Sequence, residues 1–247
     1  MDITLNDISA AYRGDTVLRK VNWTIMPGVN TLLGEESAGK TTLLSVVAGR
    51  MPQSAGTITT KSTQDNLGRR AARFGFVPQR FSVVGGMRVG ETIGYVAWIT
   101  GIPHHACTRI AGLALSAVGL PGTGRARVRS LSPGQRQLLG IAGGLVNDPD
   151  VLVLDEPTAG LEIAEQTPVR DVITALGATR PVLVSVCDPQ EARLLGGRVA
   201  ILSGGRLVFD GKVEESGSTL ARWRAGDAGP EAERAHHTAV GTLREPR

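Results

Sequence analysis

Residues 34–42 read Gly-Glu-Glu-Ser-Ala-Gly-Lys-Thr-Thr and lie between an apolar run at 29–33 and a helical pattern at 40–48. No other feature constrains the fold as much. The run 29–33 reads as a buried strand. In 40–48, Leu43, Leu44, Val46 and Val47 fall at helical spacing, with stop signals at Gly49 and Pro52 beyond. This unit opens a chain in which strands alternate with helices, and that alternation points to a mainly parallel sheet covered on both faces.

The spacing Gly34-x-x-x-x-Gly39-Lys40-Thr41 also carries chemistry. In such a loop the backbone amides and the helix N-terminus face a phosphate chain. Lys40 would reach the outer phosphate oxygens, and the Thr41 hydroxyl would ligate Mg2+. The candidate contacts are Gly34, Ser37, Ala38, Gly39, Lys40, Thr41 and Thr42. The alternative, a glycine turn with a chance Lys-Thr, fits the flanking elements poorly. Glu35 and Glu36 are unusual beside a polyanion. At about 8 Å and an effective dielectric near 20, each would oppose it by roughly 2 kcal/mol before screening. Side chains turned to solvent would reduce that cost.

A second run, 151–154, has four consecutive aliphatics and ends in Asp155-Glu156. At the carboxyl edge of a parallel sheet, Asp155 would hold Mg2+ through water, and Glu156 would orient or deprotonate an attacking water. A third stretch, Leu131-Ser132-Pro133-Gly134-Gln135, opens a helix with small residues. There Ser132 is expected as N-cap and Pro133 as the first helical residue, leaving the Gly134 and Gln135 amides free for a γ-phosphate.

Elsewhere the pattern predicts strands at 3–8, 17–25, 56–60, 74–77 and 182–186, and a hairpin of 199–202 with 206–209 across Ser203-Gly204-Gly205. Residues 86–145 read as helices interrupted at 101–103 and 119–124. A chain of 247 residues with 41% hydrophobic content is sized for one or two domains. One domain is expected over 1–225, with a loose tail at 226–247. No run is long and apolar enough for a membrane span, and the first residues lack a leader pattern, so a soluble, cytosolic chain is expected. The net charge of +4 is read as scattered arginines, a solvated surface rather than a nucleic-acid or head-group face. Cys107 and Cys187 show neither metal nor disulfide spacing.

Taken in order, 34–42, Gln79 within 74–79, 131–135 and 151–158 resemble the nucleotide-binding subunit of an ABC (ATP-binding cassette) transporter, over residues 1–215. The resemblance implies an α/β P-loop NTPase core, with an N-terminal antiparallel β subdomain and a helical subdomain inserted at about 86–145. It implies ATP and Mg2+ as ligands, with Tyr12 stacking on adenine, the lesser alternative being an ordinary strand tyrosine. Gln79 would sense Mg2+ and the permease, giving Lys40, Glu156 and Gln79 as catalytic candidates and Thr41, Gln79 and Asp155 as metal candidates. Ser132, Gly134 and Gln135 would contact the nucleotide of a second ATPase subunit, in a homodimer or a heterodimer. The implied partner is a separate integral membrane permease, which would hold the chain at the inner face of the membrane. No nucleic acid is expected. The segment 87–102 resembles the subgroup serving small export permeases.

Several positions depart from the family pattern. Pro133 and Ser37 stand where glycine is usual, and Glu162 where aspartate is usual. Cys187 stands where the family places a switch histidine. A thiol is a weak donor, so slowed hydrolysis with ATP binding retained is expected. A nucleotide-gated clamp, or the degenerate half of a heterodimer, is the alternative.

Overall fold

The computed structural model describes residues 1–12, 14–61 and 72–216. The tail expected at 226–247 lies outside the described residues. In chain order the strands are β1 (Asp2–Tyr12), β2 (Asp15–Ile25), β3 (Val29–Gly34), β4 (Ala55–Lys61), β5 (Phe74–Val77), β6 (Val151–Leu154), β7 (Val182–Val186), β8 (Arg198–Ser203) and β9 (Arg206–Lys212). The helices are α1 (Lys40–Val47), α2 (Val89–Ile99), α3 (His104–Ala117), α4 (Pro133–Leu145), α5 (Ile163–Gly177) and α6 (Pro189–Leu195).

One sheet is antiparallel, ordered β2-β1-β4; the other is ordered β5-β6-β7-β3-β8-β9. In the larger sheet all pairings are parallel except β8 with β9. Side-chain alternation explains why β6 is aliphatic throughout. Val151 and Val153 pack with α1 and the antiparallel sheet, while Leu152 and Leu154 pack with α4 and α5. Both faces are buried, so both phases of the alternation must be apolar. The interrupted pattern at 86–145 resolves into α2, α3 and α4, separated by the expected breaks and by two short 3-10 turns.

Helices α5 and α6 had no separate expectation. Gln166-Thr167-Pro168 reads as a helix break, yet Pro168 lies inside α5. Burial of Val169, Ile173 and Leu176 against the sheet outweighs the lost backbone bond.

The β8–β9 hairpin closes through Gly204 and Gly205, at φ 54° and 77°. Gly205 also joins the two sheets, because its carbonyl accepts a bond from the Arg19 N–H at 2.8 Å. A Cβ there would lie 2.0 Å from the Val17 carbonyl oxygen. Left-handed backbone and overpacking together should make Gly205→Ala destabilising by about 3 kcal/mol. Urea unfolding would read this as a lowered midpoint at unchanged slope, and an unchanged midpoint would count against the contact.

Candidate nucleotide site

The carboxyl ends of β3, β6 and β7 converge on a cleft of about 520 Å³, lined by Ser37, Gly39, Lys40, Thr41, Thr42, Gln79 and Glu156, among others. This edge follows from the topology: the chain leaves β3, reaches the far edge at β5, and works back through β6 and β7. Ligands bind outside strand ends where such a path reverses.

The loop 35–39 turns sharply, with Ser37 at φ 67° and Gly39 at φ 103°. For Ser37 that left-handed backbone costs roughly 1–2 kcal/mol relative to the ordinary regions. The first backbone bond of α1 runs from the Leu43 N–H to the Gly39 carbonyl. The amides of Lys40, Thr41 and Thr42 therefore lack an intrahelical partner, beside a cleft their own residues line. Glu35 and Glu36 are exposed, so water screens most of the repulsion expected from them.

Lys40 is 5% exposed, and each of its three ammonium hydrogens has an acceptor. Nζ lies 2.8 Å from the Gly34 carbonyl, 2.9 Å from the Glu35 carbonyl and 3.0 Å from Glu156 Oε1. The other Glu156 oxygen, Oε2, accepts from Gln79 Nε2 at 2.8 Å. Asp155 is buried. Its Oδ2 accepts from the Thr41 hydroxyl at 2.8 Å, and its Oδ1 from the Ser185 hydroxyl at 2.7 Å. Ser185 in turn accepts from the Glu156 N–H at 2.9 Å. That bond holds Glu156 at φ 45°, a region sparsely populated outside glycine and typical of functional positions.

Sequence reasoning missed Ser185. Its signal was available, since it is the one polar residue in the buried run Val-Leu-Val-Ser-Val. An apolar residue there would leave one oxygen of a buried carboxylate without a donor. The Thr41 hydroxyl and Asp155 carboxylate form an oxygen-only pair that suits Mg2+, a cation that keeps much of its shell for water and phosphate. Among the described residues, no group of three His, Cys, Asp or Glu forms an all-protein cage.

Cys187 follows β7 and is exposed. Its thiol is pushed above its ordinary pKa, first by what burial it has and then by the charge of Glu156, with Lys40 acting in the opposite sense. It stays protonated at neutral pH, a weak donor beside two strong charges. Glu162 is the N-cap of α5 and makes no side-chain cap bond. The shorter aspartate is among the favoured caps.

Ser132, Gly134 and Gln135 lie apart from this cleft, at the start of α4. Ser132 is the N-cap and Pro133 the first helical residue, as expected. The expectation of free amides there does not hold. The Gln135 N–H donates to Ser132 Oγ at 3.3 Å, and the Gln135 side chain accepts from the Ser132 N–H at 3.1 Å. This is a capping box, already written in the spacing Ser-x-x-Gln. The Gly134 N–H donates to Glu165 Oε1 of α5 at 3.2 Å. Tyr12, at the end of β1, is exposed and does not line the cleft, although Val17 of the adjoining β2 does.

Comparison with known proteins bears on this geometry. The ABC transporter family model matches residues 18–159. The phosphonates import ATP-binding protein PhnC of Bordetella parapertussis is 30% identical over 234 residues, covering 85% of this chain and 91% of that protein. The phospholipid-transporting ATPase ABCA3 of Homo sapiens is 30% identical over 193 residues, 77% of this chain but 11% of that protein. Among solved structures, a dimeric post-hydrolysis state of the ATP-binding cassette MJ0796 with ADP and Pi shares the fold. Its TM-score is 0.70 at 21% identity, covering 85% of this chain and 98% of that one.

Proposed function

The chain belongs to the ABC transporter family of ATP-binding proteins, and from that premise we propose that it drives a separate membrane permease by ATP-dependent pairing with a second ATPase subunit, with slowed hydrolysis. The observation that carries this reading is the continuous hydrogen-bonded chain of Lys40, Glu156, Gln79, Ser185, Asp155 and Thr41.

In the proposed mechanism the loop amides of 39–42 and Lys40 take the phosphates of ATP. Lys40 exchanges Glu156 Oε1 for a phosphate oxygen, and the exchange frees the carboxylate. Glu156 then orients a water toward the γ-phosphate and accepts its proton. Gln79 holds the second carboxylate oxygen and keeps the base aimed. Thr41 and Asp155 would hold Mg2+, Asp155 through water, with Ser185 fixing the carboxylate. Once bound, the ion would neutralise developing phosphate charge. Ser132, Gly134 and Gln135 serve the nucleotide of the partner subunit, which requires the Gly134 amide to leave Glu165. A protonated thiol at 187 stabilises the transition state poorly, hence the slow rate.

The permease reading is supported by an apolar groove of about 400 Å³ lined by Arg50, Phe76, Phe81, Val83, Ile93 and Val96. Gln79 lies in the loop between β5 and α2, the two elements that flank this groove, so a partner seated there can bias the site. We take the ATPase domain as 1–225, with 86–145 as its helical subdomain, held at the inner membrane face by the permease. No helix among the described residues is long and apolar enough to cross a membrane.

For direction we propose export, supported by the resemblance of 87–102. Relatives named for phosphonate import favour the opposite direction. Co-reconstitution with the permease in vesicles decides: cargo should move away from the ATP-bearing side, and movement toward it would overturn export. A regulatory clamp, or the weaker half of a heterodimer, is favoured by the occupied Gly134 amide together with the thiol at 187.

A further inference from the structure

The basic residues are scattered, as read from composition, but the acids are not, so net positive charge falls on one segment. Segment 86–145 carries Arg88, Arg109, Arg125, Arg127, Arg129 and Arg136 against Glu91 as its one acid, and the remainder of the chain is close to neutral. All six arginines are exposed. On the same segment, α2 exposes Tyr95, Trp98 and Ile99 by 53%, 55% and 58%. These positions, spaced i, i+3 and i+4, share one helix face. The Tyr95 and Trp98 rings form a tilted pair 6.1 Å apart. Arg88, Arg125, His104, Tyr95 and Trp98 line one open cleft of about 900 Å³ between α2, α3 and the turn at 123–125.

We propose that this face of α2 and the 123–125 turn rests on an anionic lipid surface. Rings with an apolar body and a polar tip, flanked by arginines, match the water–hydrocarbon boundary of a bilayer. Anionic head groups complement the arginines. An aliphatic Ile99 beside the aromatics favours a lipid boundary over nucleic acid, whose backbone offers charge without an apolar phase. The opposite flank of α2 presents Ile93 and Val96 to the groove assigned to the permease. To that extent the lipid contact rests on the permease reading: one helix would touch permease and bilayer side by side.

The test uses the full chain without permease, so a failure of the permease reading does not affect it. The chain is sedimented with vesicles of phosphatidylcholine alone and with 30% phosphatidylglycerol at 0.1 M salt (both compositions chosen for the assay). Partition into the anionic vesicles is expected, with little into the neutral ones and reversal at high salt. Each arginine near such a surface is worth roughly five-fold in affinity. Arg88→Ala with Arg125→Ala should therefore weaken partition by about twenty-fold. Trp98→Ala alone should weaken it by about ten-fold. Because Arg88 also pairs with Glu91, Arg125→Ala alone, expected to lose about five-fold, guards against a loss of fold. ATP hydrolysis by each variant should remain at the wild-type rate. No partition into anionic vesicles, or partition unmoved by these substitutions, overturns the proposal. Tighter retention on duplex DNA than on the vesicles overturns it in favour of nucleic acid.

Discussion

Glu156→Gln is expected to lower steady-state ATP hydrolysis by roughly a hundred-fold to ten-thousand-fold, the range associated with losing a positioned general base. The geometry adds a second expectation. Glu156 is the anionic partner of a lysine that is 5% exposed. A neutral amide leaves the Lys40 charge with carbonyl acceptors and no counter-charge, which is unfavourable for a buried cation. Bound triphosphate restores the missing negative charge, so the substitution penalises the empty state more than the loaded one. Nucleotide affinity should hold or rise, and a MgATP-bound dimer should accumulate. Size-exclusion chromatography with MgATP against MgADP reads the dimer, and phosphate release reads the rate. A variant within three-fold of wild type would remove Glu156 from the role of base. Biological function surviving in a hydrolysis-dead variant would favour the clamp over the transporter motor.

Much of this site was legible because its motifs are contiguous. The glycine loop fixes strand, turn and helix within nine residues, and Asp155-Glu156 is aimed by the strand that precedes it. The contacts that escaped are those made between distant segments. Ser185 lies 30 residues from Asp155, and Glu165 lies 31 from Gly134. Ser185 stood out as the one polar residue of a buried run, but which group it pairs with, like the pairing of Glu165, depends on how β7 sits beside β6 or how α5 crosses α4. The Gln135 amide is a different case, since its capping partner was within reach of spacing rules. Helix α5 was obscured by Pro168, whose local preference is overridden by burial of the opposite helix face. The two acidic side chains in the phosphate loop looked costly from sequence; both are exposed, so water screens them, although Glu36 is among the residues lining the cleft.

Cys187→His is expected to raise the hydrolysis rate by about ten-fold to a hundred-fold. The thiol at this position, just past the end of β7, lies within the electrostatic influence of Glu156 and Lys40, the proposed base and phosphate-binding cation. With its proton held by a raised pKa it supplies neither a charge nor a strong hydrogen bond. An imidazole there can donate to a developing phosphate oxygen. Hydrogen bonds involving a charged group are worth about 1.5–3 kcal/mol, which converts to the stated range at about 1.4 kcal/mol per ten-fold. The effect should fall on kcat, because the interaction strengthens as charge develops and adds little to ground-state binding. Cys187→Ala serves as the control. Because a weak donor contributes little, its rate should lie within about two-fold of wild type. If the alanine variant collapsed instead, the thiol would be a working part of the site and the slow-hydrolysis reading would be wrong. If both variants matched wild type, position 187 would be irrelevant to turnover. The occupied Gly134 amide would then be the remaining structural cause for a slow cycle, and Glu165→Ala should quicken dimer formation rather than hydrolysis.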